Sequence, residues 1–550
     1  MAPDAIAPVV VVLAAMGAPL LYRRLQLTLA KPFSLQGHPR LARRLARLVH
    51  FYEYSEAEFF QVDSAPADVV AARRAGFQRL SCTLGQPTAS VAATARLEQG
   101  LSDAQFTKSY RVPFQFRHHV NEHLPPASML AQSKGVTVVD LDGRTSYDLA
   151  GSYGVNVFGY DFYKGCIDAG IERVRTLGPV LGAYHPLIQE NIDWLRTISG
   201  LDEVSFHMSG TEAVMQAVRL ARFHTKRSHL VRFAGAYHGW WDDVQPGVGN
   251  PSVPRDTYTL REMDERTLRV LRNRSDIACV LVNPIQALHP NLAAPGDGTL
   301  VDSSRRARFD RDAYAAWLRE LRSVCTARGI ALIFDDVFVG FRIAPGGSQD
   351  YFGVRADLVA YGKTVGGGLP IGVLCGRRRF MRRYDDDWPS NICFARGTFN
   401  AHPYVMAAMN EFLRHLMRPS VRDAYANLDE VWNGRAARLN DALEGEGLPV
   451  RVANLVSIWT MIYSTPSRYN WMLQFYLRSE GIRLSWIGTG RLIFSHNFTD
   501  HDFAAVSDRI LAATRRMSAD GWWWHEPTST NRQIQARIAR EMAAALARAR

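Results

Sequence analysis

The sequence predicts an α/β protein with three parts. A mostly parallel central sheet carries helices on both faces, a smaller α+β domain follows it, and a helical extension precedes it. Three observations lead there. Between about residues 165 and 400, the strand-like runs Val204–His207, Leu230–Phe233, Cys279–Val282, Ala331–Phe334 and Leu358–Tyr361 alternate with helical segments, a rhythm that builds parallel sheets. From about 401 to 520 the pattern changes to a helix, short strands at Val456–Met461 and Arg491–Ser495, and another helix. Residues 23 to 105 read as helical, with a break at Gln86-Pro87-Thr88.

The bulk numbers fit this division. A chain of 550 residues, 47% hydrophobic and 21% charged, can bury several cores. Its net charge of +12 is carried by arginines spread along the chain. Such a balance suits an acidic partner or an anionic surface, whereas the absence of a long basic run or a zinc-finger spacing argues against nucleic acid. Cys82, Cys166, Cys279, Cys325, Cys375 and Cys393 stand far apart and never pair as CxxC. They predict free thiols in the cytoplasm and no metal site.

Taken in order, 1–24 is an apolar segment. Ala5 to Tyr22 carries no charge and runs straight into Arg23 and Arg24. It reads either as a membrane anchor that leaves the body in the cytoplasm or as a helix packed on the body. Pro8, Gly17 and Pro19 favour the second. The extension is 25–105; in it Leu41, Leu45 and Leu48 repeat at helical spacing among arginines, a stripe that suits an anionic surface or an ordinary core. Residues 106–165 form the N-terminal part of the small domain, where Gly135–Gly143 predicts a hairpin. The large domain is 166–400, the C-terminal small domain 401–520, and 521–550 a basic helical tail. Ile534, Ile538, Met542 and Leu546 give that tail one apolar stripe, expected to meet the core or a second subunit.

Chemistry gathers in the loops that follow four of the strands. Lys363 sits at the end of Leu358–Tyr361, ahead of three glycines, in a chain with six lysines against fifty-nine arginines. A lysine amine can lose its proton and condense with an aldehyde, which a guanidinium cannot do. Asp335-Asp336 closes another strand; side chains alternate along an extended chain, so one carboxylate can face the site. Ser209-Gly210-Thr211-Glu212-Ala213 opens a helix whose free N–H groups suit a phosphate. Gly235-Ala236-Tyr237-His238-Gly239 sets an aromatic ring on a glycine-flanked turn. An amine, an anion cradle, a stacking ring and a buried acid are together what pyridoxal 5'-phosphate requires.

These stretches, with Gly-Phe-Arg at 340–342, Gly-Lys-Thr-Val-Gly-Gly-Gly-Leu-Pro at 362–370 and Gly397-Thr398, resemble the class III aminotransferases of the type I pyridoxal-phosphate fold. The glutamate-1-semialdehyde aminomutase branch is the nearest in pattern. The resemblance spans about 110–520 and makes 166–400 the cofactor-binding domain. It implies that Lys363 carries the cofactor and moves the proton, and that Asp335 keeps the pyridine nitrogen protonated. Tyr237 and Val337 would cover the two ring faces, with His238 beside Tyr237. Ser209, Gly210, Thr211 and Thr398 of the partner subunit would hold the phosphate in a homodimer with a shared site. Ser152 and Tyr153 would line the substrate pocket, and Arg117 falls near the family position for a substrate carboxylate.

Three departures touch the substrate side. The usual Asp-Glu-Val is Asp335-Asp336-Val337, a Glu-Pro is Asn283-Pro284, and a Gly-Asn-Pro is replaced by Asn400-Ala401-His402-Pro403. They argue against strict aminomutase activity on glutamate semialdehyde. The activity expected is transfer of an amino group from a small donor to an aldehyde or oxo acceptor. A lipid-like oxoacyl chain, or one held by an acyl carrier protein, would suit the basic surface, and a membrane surface remains a candidate partner. The alternatives are an aminomutase and a non-catalytic scaffold at a membrane.

Overall fold

The computed structural model describes residues 21–245, 247–252, 254–289, 291, 303–304, 306–484 and 490–549. In chain order its strands are Leu130–Lys134 (β1), Thr137–Asp140 (β2), Thr145–Asp148 (β3), Glu203–His207 (β4), His229–Phe233 (β5), Thr257–Leu260 (β6), Ile277–Val282 (β7), Ala331–Asp335 (β8), Leu358–Gly362 (β9), Gly372–Gly376 (β10), Val450–Leu455 (β11), Ile458–Tyr463 (β12), Ile482–Arg483 (β13) and Arg491–Ile493 (β14).

Seven of them form the central sheet, in the order β4-β10-β9-β8-β7-β5-β6. All five expected strands are in it. Six strands run parallel to one another, and β10 runs against both of its neighbours. The sequence reading passed over β6 and β10: the first alternates threonines with larger residues, and the second has glycine at both ends. A short, turn-rich connection leads from β9 to β10, too short for a crossover helix, so the chain returns antiparallel. The central strands are apolar without alternation because both faces are covered; every residue of β7, β8 and β9 is buried. Helix Gly210–Thr225 packs on one face through Ala213, Val214, Ala217, Val218 and Ala221.

The expected hairpin is present as β2 and β3, with β1 flanking β2 at one edge and β13 flanking β3 at the other, parallel to it. A third sheet, β11-β12-β14, carries the C-terminal strands. The expected run Val456–Met461 sits two residues early: Val456 belongs to the turn before β12.

The extension is helical as expected, with helices such as Ala67–Leu84, Ala89–Gly100 and Ser102–Tyr110. It is joined to the C-terminal region by one aromatic cluster. Phe59 meets Trp471 and Trp522 at ring separations of 6.2 and 6.3 Å, and Phe116 lies 5.1 Å from Trp471. Arg73 is buried beneath, held by Asp63 at 2.7 Å and by the carbonyls of Phe60 and Gly521. The tail closes on the same region. Ile534 and Ile538 are buried, and Glu541 accepts from Arg468 at 2.8 Å and from Tyr54 at 2.6 Å. Its stripe therefore meets the chain's own core.

Helix Pro39–Ala46 buries none of its residues, and Leu41, Leu45 and Leu48 are all exposed, so this stripe covers no core of its own chain. Residues 5–20 of the apolar segment lie outside the described residues; Leu21 and Tyr22 are exposed, in helix that continues to residue 30. Among the described residues no helix is long and apolar enough to cross a membrane. The six cysteines form no disulfide.

Candidate active site

The loops after β4, β5, β8 and β9 converge at one edge of the sheet, and their contacts are tight. Ser209 caps helix Gly210–Thr225, its hydroxyl accepting from the Glu212 N–H at 3.3 Å. The first N–H groups of that helix point out of its end without intrahelical partners. At Gly210 an added Cβ would stand 2.5 Å from Val337 Cγ1, so only glycine lets the β4 and β8 loops meet. At Gly239, where φ is +94°, a Cβ would stand 2.5 Å from Thr211 Oγ1, which brings the β5 loop against the same helix end.

Asp335 ends β8 and is buried. Its Oδ2 accepts from His238 Nδ1 at 2.7 Å, and its Oδ1 accepts from the Val337 N–H at 3.3 Å. Burial holds the pKa of His238 below the usual histidine value, with Asp335 opposing, so the ring donates as a neutral imidazole. Its Nε2 is buried with no hydrogen-bond partner. Asp336 points the other way, as strand alternation requires. The Ser348 N–H donates to it at 2.7 Å and the Ser348 hydroxyl at 2.5 Å, and burial pushes its pKa up to about 7.

Lys363 follows β9 with φ of +52°, a strained value for a residue with a Cβ. Its amine lies 5.4 Å from the Phe338 ring centroid. Burial lowers its pKa; Asp335 opposes, while Arg342 and Arg491 assist. The sequence reading gave neither arginine a role. Arg342 is fully buried and donates to the carbonyls of Phe494 (2.6 Å), Asn156 (2.7 Å) and Gly154 (3.3 Å), tying the 151–156 loop to the site. Its place in Gly-Phe-Arg was a signal; Arg491 had none.

Tyr237 is half exposed over this edge, and its carbonyl accepts from Asn283 Nδ2 at 2.7 Å. The Asn283 departure thus anchors the Tyr237 loop. Ser152 and Tyr153 have φ of +45° and +56°. The Ser152 hydroxyl bonds Tyr160 at 2.9 Å, and Tyr160 donates to buried Asp148 at 2.5 Å, so that hydroxyl is already engaged. Arg117 lies elsewhere: it lines a shallow pocket with Tyr110, its guanidinium 5.9 Å from that ring, and is absent from the cavity that Ser152 and Tyr153 line. Thr398 is exposed.

A desolvated lysine and a clamped carboxylate at the strand ends of a parallel sheet define an enzyme built around an aldehyde cofactor. Comparison with known proteins agrees. The model of the family "Aminotransferase class-III" matches residues 119–244 and 310–513. A glutamate-1-semialdehyde 2,1-aminomutase from Geotalea daltonii is 30% identical over 361 residues, covering 62% of this chain and 78% of the relative. A solved transaminase with pyridoxal phosphate bound superposes with a TM-score of 0.60 at 28% identity, over 72% of this chain and 92% of that one. A glutamate-1-semialdehyde aminomutase from Pseudomonas aeruginosa PAO1 shares the fold, with a TM-score of 0.64 at 17% identity, over 82% and 99%. The chain belongs to the class III aminotransferases and is a pyridoxal-phosphate-dependent enzyme of fold type I. Its residues fit that cofactor: an amine set apart from solvent, a carboxylate for a ring nitrogen, and a helix end that a single Cβ would block.

Proposed function

We propose that the protein is an aminotransferase that moves an amino group from a small donor to an aldehyde or oxo acceptor. One observation carries the reading: the amine of Lys363 has its pKa lowered by burial and still feels the charge of Asp335, a carboxylate fixed by two donors. Bound pyridoxal phosphate supplies an electron sink for the carbon next to the transferred nitrogen.

The chain's own residues do the rest. Lys363 would hold the cofactor through Nζ, and once displaced by the donor amine its desolvated Nζ would take up and give back the proton. Asp335, oriented by the His238 Nδ1–H, presents its charge to the ring nitrogen. Tyr237 and Val337 bracket the ring. The Gly210 and Thr211 N–H groups, with Ser209 as cap, hold the phosphate, and Thr398 of the partner subunit completes that cradle in a homodimer. Tyr153 borders the substrate side. A cytoplasmic site of action is in keeping with six free thiols.

A donor screen tests this. The purified protein should be yellow, and an accepted amine should bleach the visible band, which an oxo acid should restore. A colourless protein, or a band that no amine alters, contradicts it. The names of the relatives favour a second reading, an intramolecular amino shift. Turnover that persists with no external donor selects that reading.

A further inference from the structure

Beneath the helical extension lies a cavity of about 1260 Å3. Its roof comes from helices Ala67–Leu84, Ala89–Gly100 and Ser102–Tyr110, and its floor from β2, β3, β13 and helix Leu473–Ser479. Pockets for drug-sized ligands run to about 1,000 Å3, so a glutamate-sized molecule would leave most of this one empty.

Two features mark its chemistry. Val91, Leu97, Leu101, Leu124 and Phe475 give it apolar walls, and Arg111, Arg144, Arg478 and Arg483 face into it. Six carboxylates line it too, Glu98, Asp103, Asp140, Asp142, Asp148 and Glu480, so its lining as a whole is not net positive, and most of them already have partners. Glu98 holds Lys108 at 2.6 Å, and Glu480 pairs with Arg516 at 2.5 Å. Asp142 caps the N–H groups of Ala89 and Ser90, and Asp140 accepts from those of Asp142 and Arg144. Asp148 is bound to Tyr160 and to the N–H groups of Ala150 and Gly151.

Arg478 donates to the Pro125 carbonyl at 2.9 Å, and neither it nor Arg483 makes an ion pair among the described residues. Burial and the neighbouring Arg111, Arg483 and Arg144 bring the Arg478 pKa down to about 10, with Asp140 opposing. Asp140 and Asp148 offset these charges in part without pairing with either guanidinium, and a desolvated guanidinium gains from an anion that bonds it directly.

The cavity adjoins the cofactor site. Tyr153 lines it and feels the charges of Arg111 and Arg483. The next residue, Gly154, backs onto Lys363, where an added Cβ would stand 3.3 Å from Lys363 Cδ. We propose that this cavity receives the far end of the substrate, an apolar chain terminating in an anion held by Arg478 and Arg483, while its reacting carbon lies at Lys363. The assignment rests on the aminotransferase reading and specifies its substrate class.

Calorimetry with dodecanoate, dodecyl phosphate, dodecylammonium and butyrate tests it without requiring turnover. At least one of the two long-chain anions should bind, and the tighter of them identifies the head group as carboxylate or phosphate. Arg483→Gln should weaken that binding about tenfold, as loss of a charge-assisted hydrogen bond does, and Arg478→Gln should act in the same direction. Butyrate should bind at least tenfold more weakly than dodecanoate. Dodecylammonium binding as tightly as either anion, or affinities unchanged in Arg483→Gln, would overturn the assignment. If the anions bind as expected but no amine bleaches the protein, the aminotransferase reading fails and the cavity stands. Turnover of short amines without anion binding gives the converse.

Discussion

Around Lys363 the chain is packed until one added carbon would collide, while around Arg478 it leaves a cavity of about 1260 Å3. The first region comes from four loops that each follow a strand of one sheet, and its carboxylates are hydrogen-bonded: Asp335 to His238, and Asp336 to Ser348. The second comes from elements spread from Cys82 to Arg509, and its arginines crowd together. A closed site with hydrogen-bonded carboxylates suits a permanent cofactor, which must be held in one geometry through every turnover. A roomy site in which Arg478 and Arg483 make no ion pair among the described residues suits a ligand that arrives, bonds them and leaves.

The comparison breaks first at Asp335. Asp335→Asn keeps an acceptor for His238 but removes the charge, and kcat should fall about a hundredfold, the scale of losing one preorganised electrostatic contact. Steady-state kinetics with the best donor would read it, and an unchanged kcat would make Asp335 a structural group. The difference in packing is tested next. Gly210→Ala places a Cβ 2.5 Å from Val337 Cγ1; it should destabilise the protein by about 1–3 kcal/mol in urea titrations and weaken cofactor retention. Ala104→Met adds larger bulk at the cavity wall and should shift stability by less than about 0.5 kcal/mol.

A separate effect concerns pH. The folded-state pKa of Asp336 is raised from 3.8 to about 7, so the folded chain binds this proton more tightly than the unfolded one. Its contribution is full below the unfolded pKa and is lost as pH rises through about 7. Asp336→Asn should therefore flatten the stability profile across that window, as measured by urea midpoints at successive pH values.

The two regions also differed in how well the sequence disclosed them. Lys363, Asp335 and Gly210 follow strands whose apolar runs mark them, so local pattern placed them. β10 escaped because two glycines hide a strand that joins the sheet only through its neighbours. Arg342 stood in a motif without a role because its partners, Gly154, Asn156 and Phe494, are far away in sequence. Arg478 and Arg483 had no local signal, since an arginine facing a cavity reads like one facing water. Arg117 illustrates the same limit: the resemblance put it near a substrate carboxylate, and the fold sets it beside Tyr110 instead.

The central claim is that one lysine of six holds the cofactor. Reducing the yellow protein with borohydride and mapping its peptides by mass spectrometry tests this directly. The account predicts the cofactor's mass on the peptide containing Lys363 and on no other, with none retained after Lys363→Ala. Label on Lys31, Lys108, Lys134, Lys164 or Lys226, or equal labelling of the Lys363→Ala protein, would contradict it.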